Sequence, residues 1–128
     1  MSPLEVEIIG GADVVEDLEP LCARVLASVG ISDGHVAIEF VDEERILELN
    51  RRHRGRDAPT DVLSFGVDEG GPAAGPRELG DIVICPARTE NIREAVVHGA
   101  LHLAGMDHET DGGEMLALQD ELLAAERT

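Results

Sequence analysis

Three of the five histidines in this chain of 128 residues fall within one short stretch, at His98, His102 and His108. His98 and His102 are four positions apart, a spacing that puts two imidazoles on one face of a helix. That separation suits two ligands of one tetrahedral ion. Gly105 follows, and glycine can take the left-handed conformation that reverses a chain. Such a reversal brings His108 back toward the first two. Three protein ligands leave a fourth position for water or substrate, as in catalytic zinc sites, whereas structural sites usually have four protein ligands. No cysteine lies close by to supply a fourth. The expected cofactor is one Zn2+ ion, although three imidazoles also accept other divalent transition metals such as nickel, cobalt and copper.

The spacing is shared with the metzincin peptidases, His-Glu-x-x-His-x-x-Gly-x-x-His, in which the Glu after the first His is the general base. Here that position is Gly99, which can neither take nor give a proton. Asp107 or Glu109 would have to stand in. A metallopeptidase is therefore the weaker hydrolase reading.

The second chemical feature is a run of arginines. The net charge is −17 and there is no Lys, yet four of the ten Arg are Arg51, Arg52, Arg54 and Arg56, with His53 among them. The overall charge argues against nucleic-acid binding, which needs cations for phosphate. A local basic patch still acts over roughly 10 Å at physiological salt. The alternative is a solvated helix end whose Arg side chains meet the helix dipole.

These residues need elements to position them. An apolar content of 43% supports one core, which is aliphatic because Phe40 and Phe65 are the only aromatic residues. Cys22 and Cys85 fit no thiol motif and read as two buried structural thiols. No apolar run is long enough to span a bilayer, and the first residues lack the pattern of a signal peptide, so the expected address is cytoplasmic. Alternation predicts strands at 4–9 and 35–41, and short apolar runs predict strands at 62–65 and 81–85, the last being central. Helical spacing predicts a helix over 14–28. A second runs from 43 to about 52, capped by Asp42, with Ile46, Leu47 and Asn50 on one side. Residues 68–80, rich in Gly and Pro, read as a loop. Thr89 is the expected cap of the helix that carries His98 and His102 and stops at Gly105. A last helix begins near Gly112. The order β-α-β-α-β-β-α-α predicts a single α+β domain over 1–128, with a small mixed four-stranded sheet packed with helices. The metal site sits on a helix and the turn after it.

Three blocks resemble the YbeY family of bacterial endoribonucleases. His98-Gly-Ala-Leu-His-Leu-Ala-Gly-Met-Asp-His108 looks like its signature. The block from Arg54 to Phe65, Arg-Gly-Arg-Asp-Ala-Pro-Thr-Asp-Val-Leu-Ser-Phe, is similar to the family's Arg-Gly-Lys-Asp-x-Pro-Thr-Asp-Val-Leu-Ser-Phe. Leu79-Gly-Asp-Ile-Val-Ile-Cys85 resembles its Leu-Gly-Asp-Ile-x-Ile. The resemblance covers about Asn50 to His108.

It implies a metal-dependent endoribonuclease that cleaves single-stranded RNA. It also implies roles in maturing the 3′ end of small-subunit ribosomal RNA and in ribosome quality control, with RNA and the ribosome or small-subunit assembly proteins as partners. His98, His102 and His108 match the family's metal ligands. Arg54 matches its functionally important arginine, and Arg56 keeps the charge of the usual Lys. Both are expected to bind substrate. The chain departs from the family in a shorter segment between Cys85 and His98. Further departures are His53 and Met106 where aromatic residues are frequent, and Gly66 where Pro is common. A ribosome-assembly factor with a structural metal is the alternative.

Overall fold

The computed structural model describes residues 4–11, 17–58, 60–66, 78–106 and 110–126. The chain begins with β1 (Leu4–Ile9), whose Leu4, Val6 and Ile8 turn to the core while Glu5, Glu7 and Ile9 face outward. Helix α1 (Leu18–Ser28) buries Leu18, Leu21, Cys22, Val25 and Leu26, a stripe at the i, i+3, i+4 spacing of a core-facing helix. It starts later than its periodicity suggests: Asp17 is extended (φ −86°, ψ 92°), and residues 14–16 lie outside the described residues.

Strand β2 (Gly34–Phe40) leads to α2 (Glu43–Arg54). Asp42 caps α2 as expected, its carboxylate accepting from Arg45 N–H at 2.8 Å. The buried residues of α2 are Ile46, Leu49 and Asn50, whereas Leu47 lies only half-buried. Gly55 stops the helix in a left-handed conformation (φ 69°), closing it with an N–H bond to Arg51 O.

Strands β3 (Val62–Gly66) and β4 (Glu78–Ile84) follow, then a 3-10 turn (Pro86–Arg88), α3 (Ile92–Leu103) and α4 (Glu114–Glu126). Two expectations are corrected here. Strand β4 begins at Glu78, inside the stretch read as a loop, because residues 78–80 continue the pairing with His35 and Val36 of β2. The cap of α3 is Asn91, whose Oδ1 accepts from Glu94 N–H at 3.0 Å. Thr89 instead donates its hydroxyl to Cys85 O at 2.7 Å, just after the 3-10 turn.

The sheet order is β1-β2-β4-β3, with β1, β2 and β4 parallel and β3 antiparallel to β4. Strand β4 is thus interior, as its apolar run predicts. One face of the sheet, with Val36, Ile38, Ile82 and Ile84, meets α1, α3 and α4. On the other, Leu63, Val83 and Cys85 lie under Ile46 and Leu49 of α2. Cys22 and Cys85 are both buried and unpaired by any disulfide, and burial pushes the Cys22 thiol up to about 12. Among the described residues no helix is long and apolar enough to cross a membrane.

Candidate functional site

Helix α3 is buried on most sides, through Ala95, Val96, Val97, Gly99, Ala100 and Leu101. It is held between the sheet, α1 and α4, so its end is a fixed platform for side chains. Gly105 (φ 98°) ends it: its N–H donates to His102 O at 3.0 Å, and Met106 N–H donates back to Leu101 O at 3.1 Å. This is the left-handed glycine stop that the sequence predicts. The reversal aims the Met106 carbonyl at His102, whose Nδ1 lies 3.0 Å from it. From the other side, α4 sends in Gln119, whose Oε1 lies 2.8 Å from His98 Nδ1.

Both of those oxygens accept and cannot donate, so in the neutral rings each Nδ1 carries the proton. The lone pairs are then on Nε2. The two Nε2 atoms lie 3.1 Å apart, with ring centroids separated by 4.7 Å and the planes at 76°. Two nitrogens at about 2.0–2.1 Å from a tetrahedral ion would be about 3.3 Å apart. The pair therefore fits two ligands of a zinc-type ion, with the outer acceptors that such ligands usually have. His108 and the carboxylates Asp107 and Glu109 lie outside the described residues. Among the described residues no group of three His, Cys, Asp or Glu converges as a metal-binding set.

The histidines open into a cleft of about 490 Å³ that is also lined by Asn50, Arg54, Arg56, Asp61 and Ser64. The arginine run divides. Arg51 pairs with Asp57 at 3.1 Å and Arg52 with Glu48 at 3.3 Å, both on the exposed surface. Among the described residues Arg54 and Arg56 have no ion-pair partner, and these are the two that line the cleft. The run is thus divided between a solvated helix end, at Arg51 and Arg52, and the wall of the cleft, at Arg54 and Arg56. A second lobe of about 520 Å³ shares Asp61, Val62 and His98 with the first and is bordered by Arg88, Glu94 and Gln119.

Sequence reasoning missed two supports. Gln119 sits in the middle of the buried stripe Met115, Gln119, Leu123, where its polarity within an apolar i, i+4 pattern was the available signal. The Asn50 side chain donates its Nδ2–H to Ala58 O at 2.7 Å, and the Asn50 backbone carbonyl accepts from Arg56 N–H at 3.4 Å. It thus ties the loop that carries Arg56 to α2. Of the departures, His53 packs its ring against Phe65, with centroids 4.9 Å apart. The short segment after Cys85 is a 3-10 turn leading directly to the Asn91 cap.

Comparison with known proteins supplies the remaining context. The family described as Endoribonuclease YbeY matches residues 11–126. A protein named endoribonuclease YbeY from Rubrobacter xylanophilus is 41% identical, covering 98% of both chains. The protein of that name from Geobacillus thermodenitrificans is 42% identical over 88% of this chain and 86% of its own. A solution structure from Thermotoga maritima superposes with a TM-score of 0.56 at 31% identity, covering 91% of this chain and 85% of that one.

Proposed function

The chain belongs to the YbeY endoribonuclease family, and from that premise we propose that it is a metal-dependent endoribonuclease acting on single-stranded RNA in ribosomal RNA maturation. The observation that carries the metal dependence is the pair of Nε2 lone pairs facing each other at 3.1 Å, with both Nδ1 atoms committed to acceptors. Two lone pairs at that distance repel, and a cation between them relieves the repulsion. His98, His102 and His108 would hold it. A zinc-type ion there supplies Lewis-acid polarisation of a phosphodiester oxygen and a more acidic water.

The rest of the cleft acts through its own side chains. Arg54 and Arg56 bind the phosphate, and the planar guanidinium of Arg54 opposes the charge that builds on its oxygens. Asp61 is the one carboxylate among the described residues lining this lobe. Its Oδ1 accepts from Val62 N–H at 2.9 Å, which leaves Oδ2 to receive a proton from the attacking water. With a net charge of −17 over the whole chain, affinity for naked RNA is weak, and the ribosome or its assembly proteins supply most of the docking surface. A protein with that substrate would work in the cytoplasm.

The test is cleavage of unstructured RNA by the purified protein, with metal content measured on the same sample. Chelation, His102→Ala and Arg54→Ala should each abolish most activity. Full cleavage after rigorous metal removal would overturn the metal dependence and leave a proton shared between His98 and His102 as the bridging cation. Full activity in Arg54→Ala would overturn its role at the phosphate. Metal uptake without cleavage would point to an assembly factor with a structural ion.

A further inference from the structure

Gln119 is one of two buried polar side chains among the described residues. Its neighbours on the buried stripe of α4, Met115 and Leu123, are apolar core residues. A primary amide in such a stripe is costly unless it is satisfied, and an apolar residue would pack there more cheaply. Its Oε1 meets His98 Nδ1 at 2.8 Å, across 21 residues of sequence. His98 is also the one histidine shared by both lobes of the cleft. A ring free to take either tautomer would spend part of its time with a proton on Nε2, where it cannot be a ligand.

We infer that Gln119 is a positioning residue: it locks His98 in the Nδ1–H form and holds its Nε2 toward His102 and the cleft. Helix α4 is thereby more than a cover for the core. It supplies to His98 what the Met106 carbonyl supplies to His102. Both acceptors come from later in the chain, one from the turn after α3 and one from the helix beyond it. This inference rests on the metal reading above, because a preset Nε2 lone pair matters most to a cation.

The decisive variants are Gln119→Met, which keeps length and packing but removes the acceptor, and Gln119→Glu, which keeps an acceptor at the same reach. Zinc affinity is read by chelator competition, folding by thermal unfolding of the metal-free protein. The proton position on His98 is read by nitrogen-edited NMR of the imidazole rings without metal. Gln119→Met should stay folded, with an unchanged or higher midpoint, yet lose about ten- to a hundredfold in zinc affinity. Its His98 ring should show mixed tautomers. Gln119→Glu should retain both affinity and tautomer. A purely structural glutamine predicts the reverse, with midpoints that move and an affinity that does not. Gln119→Met binding zinc within about twofold of the unaltered protein overturns the inference. So does an Nε2–H tautomer at His98 in the unaltered, metal-free protein. An unaltered protein that takes up no zinc sinks the metal reading instead, and the ring-nitrogen spectrum still decides whether Gln119 sets the tautomer.

Discussion

Gly99 lies against Ile82 so closely that a Cβ built on it would stand 2.6 Å from Ile82 Cγ2 and 3.1 Å from Ser64 Oγ. The Ser64 hydroxyl donates to the Gly99 carbonyl at 3.1 Å, so β3 and β4 both grip α3 at this point. That contact sets the height of His98 and His102 over the sheet. It also explains the residue that separates this motif from the metzincin one. The position that carries a general base in those peptidases is here a helix-to-sheet contact. Any proton acceptor must come from elsewhere in the cleft.

Gly99→Ala should therefore destabilise the fold although alanine is the better helix former. Helix propensity favours the change by about 1 kcal/mol. Overpacking against Ile82 opposes it by about 1–3 kcal/mol. The net loss is read as a lower denaturant midpoint. Gly99→Ala combined with Ile82→Val, which removes a methyl group at the contact, should recover part of it.

Much of this site was legible before the structure, and the limits of that reading are physical. The i, i+4 histidines and the Gly105 stop are local features, determined within one helix and its end. The start of β4 was not legible, because Glu78, Leu79 and Gly80 look like loop residues. They become a strand through pairing with β2 and through the Glu78–His35 contact at 2.8 Å. Gly80 fits there because a side chain would run into the Phe65 carbonyl. Thr89 and Asn91 are both good caps by composition, and a hydrogen bond to Cys85 O decides between them. Gln119 interrupts an apolar i, i+4 row in the sequence, but what its amide meets is decided only when α4 packs on α3.

The His35 clasp predicts how stability depends on pH. His35 Nδ1 lies 2.8 Å from Glu78 Oε1, and Nε2 lies 3.0 Å from Glu7 Oε1. Both nitrogens can donate only in the imidazolium, so one charged ring ties β4, β2 and β1 together. The hydrogen bonds to Glu78 and then to Glu7 raise its pKa above 6.5, against a smaller opposing effect of burial. A raised folded-state pKa means that the stabilisation is complete below the unfolded value and is lost as pH rises through the folded one. Asp81, raised chiefly by burial and then by Glu78, acts in the same sense at lower pH, above 3.8. The thermal midpoint should therefore fall as pH rises from about 6.5. His35→Gln should flatten that part of the profile. An unchanged slope in this variant would remove His35 as the cause.

Asn50 should influence substrate binding without touching the reacting atoms. Removing its side chain leaves the Ala58 carbonyl without its 2.7 Å donor and frees the loop that carries Arg56. A buried hydrogen bond broken on one side costs about 1–3 kcal/mol. Asn50→Ala should unfold at lower denaturant and raise KM more than it lowers kcat. A loss confined to kcat would show that Asn50 acts on the chemistry directly.

The division of the arginine run gives the sharpest contrast between residues of one type. Arg51 and Arg52 face Asp57 and Glu48 on the surface, whereas Arg54 and Arg56 line the cleft beside His98 and His102. A cation that meets a phosphate displaces counterions, and each such contact on single-stranded nucleic acid adds about 0.7 to the slope of log K against log salt. Arg54→Ala and Arg56→Ala should each weaken binding to unstructured RNA and lower that slope by about this amount. Arg51→Ala and Arg52→Ala should leave the slope unchanged, and their surface pairs contribute at most about 1 kcal/mol to stability. Binding titrations over a range of salt concentrations separate the two groups. Equal slope changes in all four variants would mean that the whole helix end, rather than the cleft, meets the RNA. In that case the charge of the patch would matter more than its geometry around the histidines.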